Sequence, residues 1–365
     1  MSALVAASDS SAPAMRYELL DGLRGIAALA VMWFHITGVC EIFTRPPNAF
    51  LAVDFFFCLS GFVIAHAEAS RPCRGQDIGS FMRRRAIRLM PLAVLGAGLG
   101  GCVLLVRSWA CGDVVVVYAL AAAGLNAVLL PSEGLVPAYP ESFVANPSLW
   151  SLLQEMLASL AFTAILIRMK PSALAIFAVV AACILAWAGL AAGTLDLGPM
   201  PGTVWLGPVR VAFPFLCGVL IQRLPILSAF NEWIVALILA AALLSPANSV
   251  VGQILSVIML FPIVVYCGAR AQVGPRVGDA CRWLGSLSYP LYALHYPIIR
   301  LVVLSADWAN IRNPVLLAVA AGSLSIAGAL IAQKFFEPPV RRWLSSRGTG
   351  AVHDRDVDRL VVTAN

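Results

Sequence analysis

Two ionisable residues interrupt one apolar run near the N-terminus, Arg24 and His35, with only apolar residues and glycine between them. Eleven positions correspond to ~20° of rotation and ~16 Å of rise on a helix, so both side chains share one face. The arginine then sits at a membrane edge and the histidine about halfway through the hydrocarbon. An ionisable side chain at that depth is expensive and marks a functional site by default. The plain alternative is a packing hydrogen bond between helices. Four more such residues weigh against it: Asp54, Glu155, Arg210 and His295. Twelve residues separate His295 from the start of its apolar run at residue 284, ~18 Å at helical rise, so the two imidazoles lie at similar depth. Imidazole changes charge near neutral pH, and two at one depth suit a shared polar cavity.

Arg85 and Arg88 form an R-x-x-R pair in Phe81-Met-Arg-Arg-Arg-Ala-Ile-Arg-Leu-Met-Pro91. At helical spacing they share a face. Such a cluster serves by default as a positive-inside topology signal. Here it abuts a proline and the start of a helix, and Arg24 lies on the same membrane side. Guanidinium groups grip phosphate with forked geometry, so the three arginines are candidates to clamp a polyanion entering from the cytoplasm.

These residues need a membrane scaffold, and composition supplies it. The chain has 365 residues, 60% of them hydrophobic and 12% charged, with mean hydropathy +0.87. A soluble domain carries about a quarter charged residues. The net charge of +6 does not imply nucleic acid, because the arginines stand in short clusters between apolar runs, as topogenic charges do. Nine cysteines show no C-x-x-C pair, so neither a disulfide framework nor a zinc site is expected. No cleavable leader is expected either. Spans are expected at about 23–42, 49–67, 89–106, 148–167, 173–193, 203–222, 233–246, 250–268, 284–304 and 314–336. The arginine-rich links then all fall on one side. The reading is an all-α, polytopic bundle of about ten transmembrane helices with both termini cytoplasmic. Parity works only if the apolar run 114–130 lies on the outer face or re-enters the membrane. Non-helical backbone is allowed there where protein covers it. Residues 1–15 form an expected cytoplasmic tail, 16–343 the membrane domain and 344–365 a flexible tail.

The segments that carry these residues occur in a recognisable order. They are the R-x10-H of Arg24 and His35, Val53-Asp-Phe-Phe-Phe-Cys-Leu-Ser-Gly-Phe62, the Arg-Arg-Arg-x-x-Arg-Leu-x-Pro segment and Asn146-Pro-x-Leu-Trp-Ser-Leu-x-x-Glu155. Ser288-Tyr-Pro-Leu-Tyr-x-Leu-His295 and Phe336-Glu-Pro-Pro-x-Arg-Arg342 follow. Together they resemble the acyltransferase 3 family of integral membrane O-acyltransferases over residues 16–343. The resemblance implies transfer of an acetyl or other short acyl group from cytoplasmic acyl-CoA, a donor substrate rather than a bound cofactor. The implied acceptor is a hydroxyl of a carbohydrate, such as a cell-surface polysaccharide, lipopolysaccharide or glycolipid. It also implies a bacterial cytoplasmic membrane. The chain is expected to lack the fused SGNH hydrolase-type domain of some members.

On that basis Arg24, Arg85 and Arg88 would hold the CoA phosphates. His35 would act as general base or transient acyl carrier. Asp54 or Glu155 would orient or charge-balance an imidazolium, and His295 would assist proton transfer or hydrogen-bond the substrate. The pantetheine arm would thread along the small residues Ala27, Ala28 and Val31 of the first helix. No metal site is expected. The competing reading is a transporter or flippase of a lipid-linked sugar using the same polar path; the absence of an internal repeat lowers it.

Overall fold

The computed structural model describes residues 17–41, 45–69, 77–112, 114–225 and 230–347, whose regular structure is helical with no strands among them. The chain runs through α1 (Glu18–Val39), α2 (Ala52–Ala69), α3 (Ile78–Cys111), α4 (Val116–Ala127), α5 (Leu149–Ala164), α6 (Pro171–Ala192) and α7 (Gly207–Gln222). It continues through α8 (Glu232–Leu244), α9 (Val250–Leu255), α10 (Phe261–Gly268), α11 (Pro275–Trp308), α12 (Pro314–Ile331) and α13 (Glu337–Ser346). Single π-turns join α9 to α10 and α12 to α13. Each lies just before a proline, Pro262 or Pro338, whose missing N–H breaks the regular ladder.

Among the described residues eight helical segments are long and apolar enough to cross a membrane. Two segments expected to span form shorter helices: α5 has 16 residues and α8 has 13. At 1.5 Å per residue α8 covers only ~20 Å of a ~30 Å core. Its length is set by sharp ends. The Asn231 side chain caps the first turn by accepting from Trp233 and Ile234 N–H, and Ser245-Pro246 follows the last. The expected boundary at 343/344 falls inside α13, which ends at Ser346. The expected N-terminal tail and most of the C-terminal one lie outside the described residues.

The exterior is apolar, as hydrocarbon contact requires. Ile176, Trp187, Trp233, Leu237 and Val319 point outward from α6, α8 and α12. We call the end that gathers Arg24, Arg85, Arg88, Arg282 and Arg341 the basic end, and the opposite one the far end. At the far end Trp109 and Trp308 meet edge to face, 5.7 Å apart, where an interfacial aromatic belt sits.

α1 and α11 form the central pair. Gly25 makes this possible, since a Cβ there would lie 2.6 Å from the Leu284 side chain. Small residues at such contacts let backbones approach where burial from water offers no drive.

The run 114–130 does not span as a helix. α4 has 12 residues, too short to cross, and packs back along α3. The irregular stretch after it is buried: Phe143, Val144, Ala145 and Asn146 are all 0% exposed. Its polar backbone is satisfied by side chains. Asn126 Oδ1 accepts from the N–H of Ala145 (3.0 Å) and Asn146 (3.3 Å), and Ser132 Oγ from Val144 N–H (3.0 Å). Asn146 Nδ2 donates to the Ala293 carbonyl at 2.8 Å. Ala293 stands four residues before Pro297, whose missing N–H would otherwise leave that carbonyl unpaired. Gly96 and Gly100 of α3 seat this stretch, because a Cβ at either would collide with Asn146 or the Ala145 backbone. Thus protein-covered, non-helical backbone reaches the middle of α11, as irregular structure in a membrane must.

Candidate active site

Two polar centres lie along α1 and α11. The first is a cleft at the basic end, with about 780 Å³ of atom-free space including its open mouth, within the usual range for a ligand site. Arg24 from α1, Arg85 and Arg88 from α3, Ser60 from α2, Glu155 from α5 and Tyr292 from α11 line it. Arg24 is aimed by its own partners: Nε donates to Ser288 Oγ and Nη2 to the Gly285 carbonyl, both at 2.8 Å, with Asp21 at 3.1 Å. Arg85 Nη2 pairs with Glu155 Oε1, which also accepts from Ser60 Oγ at 2.9 Å. Arg85 Nε is buried with no partner among the described residues. The Arg88 guanidinium makes no hydrogen bond among the described residues, and the charges of Arg85, Arg24 and Arg341 repel it. Asp21 and Glu155 thus pair with two of the three arginines and leave Arg88, which makes the cleft a candidate site for an anion.

The second centre is the histidine pair. His35 and His295 stand with ring centroids 5.2 Å apart, and His35 packs edge-on to Tyr296 at 4.8 Å. His295 is fully buried, with Nδ1 3.0 Å from the carbonyl oxygens of both Leu291 and Tyr292. A carbonyl only accepts, so Nδ1 carries the hydrogen. In the neutral ring Nε2 is then a lone-pair acceptor, and it has no partner among the described residues. It projects from the ring side opposite its own helix backbone. Among the described residues no group of three or more His, Cys, Asp or Glu gathers as metal ligands would.

Aromatic side chains connect the two centres. Tyr292 lines the cleft, touches Phe56 (5.6 Å) and lies 6.0 Å from the His295 ring. Its hydroxyl is 2.6 Å from Ser151 Oγ. A ligand arm leaving the cleft for the histidines meets this Phe56–Tyr292 contact.

The structure therefore joins Arg24, Arg85 and Arg88 in one place and His35 and His295 in another. Glu155 belongs with the arginines, not beside an imidazole. Asp54 belongs to neither centre. It is 0% exposed, and both its oxygens accept from Arg210, Nε at 3.0 and 3.2 Å and Nη2 at 2.8 Å. Arg210 spends its remaining donors on Asp196, Leu197 O and Phe50 O. A carboxylate so occupied ties α2 to α7, and among the described residues no histidine is in contact with it. The expected thread along Ala27, Ala28 and Val31 is likewise corrected. All three are at most 3% exposed, with Ala28 packed beside Leu287 and Leu291, and only Arg24 of α1 reaches the cleft. Those small residues serve close packing, and the cleft lies among α2, α3, α5 and α11.

Sequence reasoning missed Glu141, Tyr296 and Arg300. Arg300 Nη2 donates to Glu141 Oε1 at 2.6 Å, Nη1 donates to Val144 O at 2.6 Å, and Tyr296 OH donates to Glu141 Oε1 at 2.8 Å. Arg300 carried a legible signal, a charge five residues beyond His295 within an expected span.

The fold is thus a long-helix membrane bundle with an arginine-lined cleft at one end and a buried imidazole pair beyond it. Comparison with known proteins makes the class specific: the chain belongs to the acyltransferase 3 family, whose acyltransferase-domain model matches residues 17–334. It is 27% identical over 334 residues to the putative peptidoglycan O-acetyltransferase YrhL of Bacillus subtilis (strain 168), covering 81% of this chain and 50% of that protein. It is 45% identical over 92 residues to protein 2 in the picA locus of Rhizobium radiobacter, 25% of this chain and 47% of that one. The chain thus spans about half the length of the curated relatives it matches. No solved structure matches it.

Proposed function

We propose that the protein is an O-acyltransferase of a bacterial cytoplasmic membrane. It takes an acetyl or other short acyl group from acyl-CoA at the basic, cytoplasmic end. It delivers that group to a hydroxyl of an exported carbohydrate, the acceptor class to which the name of the Bacillus subtilis relative points. The observation that carries this reading is the unpaired Arg88 guanidinium, in a cleft that runs to Tyr292 beside the histidine pair. CoA offers a pyrophosphate and a 3′-phosphate. Arg88 and Arg85 take them as forked donors, and Arg24, braced by Ser288 and Gly285, completes the clamp. Glu155 offsets the cluster's charge while the cleft is empty.

The pantetheine arm passes Phe56 and Tyr292 and presents the thioester to His35. His35 removes the acceptor hydroxyl proton as that oxygen bonds to the thioester carbonyl carbon. The C–S bond then breaks, and the leaving sulfur takes the proton from the imidazolium, giving the ester and free CoA.

Arg88→Lys keeps the charge and loses the fork. In membranes carrying the endogenous acceptor, the apparent KM for acetyl-CoA is expected to rise about tenfold with kcat little changed, a loss typical of one charge-assisted hydrogen bond. A KM unchanged by this substitution would reduce the cluster to a topology signal.

A further inference from the structure

At the far side of the histidine pair, the buried stretch after α4 brings Glu141 against α11. Arg300 and Tyr296 both donate to Glu141 Oε1, while Oε2 is buried with no partner among the described residues. An unpaired buried carboxylate oxygen costs free energy until a donor reaches it. That donor need not be charged, since Arg300 already balances Glu141 one to one. A cation is disfavoured, because the charges of Arg45 and Arg300 both reach His35. Tyr296 links this carboxylate to the catalytic pair: its ring packs on His35 at 4.8 Å. The second orphan, His295 Nε2, is an acceptor as well. Two lone-pair acceptors without donors, on either side of Tyr296, complement a neutral molecule with more than one hydroxyl.

We propose that Glu141, held by Arg300 and Tyr296, is the positioning residue of an acceptor subsite for a neutral polyhydroxyl ligand. One hydroxyl donates to Glu141 Oε2, and a neighbouring one is left at the His35–His295 pair. This rests on the acyltransferase reading for its purpose, but not for its geometry. The subsite explains why the stretch around Asn146 is driven so deeply into the bundle: seating it in the Gly96/Gly100 groove sets the depth at which Glu141 meets α11.

Binding of methyl β-D-glucoside is measured by saturation-transfer NMR on the full-length protein in lipid nanodiscs, with acetyl-CoA binding measured on the same samples. The variants are Glu141→Gln and Tyr296→Phe. Glutamine keeps an oxygen for Arg300 and Tyr296 but replaces the orphan acceptor with an NH₂ donor. Saturable glucoside binding is expected in the wild type, weakened about tenfold or more by Glu141→Gln, as loss of a hydrogen bond to a charged group implies. Acetyl-CoA affinity is expected to stay within about twofold, which excludes a general loss of fold as the cause. Tyr296→Phe releases one grip on the carboxylate and is expected to weaken the glucoside less. Glucoside binding that is absent from the wild type, or unmoved by Glu141→Gln, overturns the subsite, the second result meaning that Oε2 holds a structural water only. Glucoside binding without acetyl-CoA binding would sink the donor cleft and leave the subsite standing.

Discussion

Replacing His35 with alanine is expected to lower acyl transfer by about 10²–10⁴-fold, the usual worth of a positioned proton-transfer group. The loss should be chemical, not structural. His35 is held by ring contacts with Phe34, His295 and Tyr296, so its removal orphans no buried donor or acceptor. The variant should insert, purify as a monodisperse species and bind acetyl-CoA as the wild type does, because Arg24 of the arginine cleft lies about three helical turns away along α1. Near-normal ester formation by such a preparation would remove His35 from the mechanism and leave His295 Nε2 as the remaining acceptor of the pair.

Asp54→Asn is expected to act in the opposite way, on folding first. The substitution leaves the Arg210 guanidinium, 0% exposed, with Asp196 as its remaining carboxylate partner. Breaking a buried ion pair from one side costs about 3–5 kcal/mol, since the surviving charge stays desolvated. The protein should show a lowered Tm and reduced yield from membranes. In a double-mutant cycle, adding Arg210→Gln should cost less than the two single changes summed, because no charge is then stranded. A well-folded Asp54→Asn protein with unchanged Tm and no activity would return Asp54 to the chemistry.

What the sequence disclosed and what it hid follow from the range of each interaction. Arg24 and His35 share one helix, and Arg85 and Arg88 share another, so helical period alone sets their relative positions. His295 could be placed at matching depth because its distance from a span end is countable. Pairings across the chain have no such ruler. Arg210 finds Asp54 across 156 positions and Glu155 finds Arg85 across 70, and either carboxylate was an equal candidate for a histidine. Glu141 was invisible for another reason. It lies in an irregular stretch between helices, and its depth comes from a glycine groove on α3 and an asparagine that answers the carbonyl freed by Pro297. The small residues of α1 misled for the converse reason. A stripe of Ala reads equally as a channel wall or as a close helix contact, and only the position of α11 decides between them.

The central claim is that the arginine cleft is the acyl-CoA site, and equilibrium binding to purified protein tests it most directly. Acetyl-CoA and S-acetyl-pantetheine, which lacks every phosphate, are titrated into the wild type and into the Arg85→Gln/Arg88→Gln variant. The account predicts that the wild type binds acetyl-CoA at least tenfold more tightly than S-acetyl-pantetheine, as one or more phosphate–guanidinium contacts would give. It also predicts that the double variant loses most of that preference while its affinity for S-acetyl-pantetheine is retained. Equal affinity of both proteins for acetyl-CoA, or no preference for the phosphorylated donor in the wild type, would contradict it.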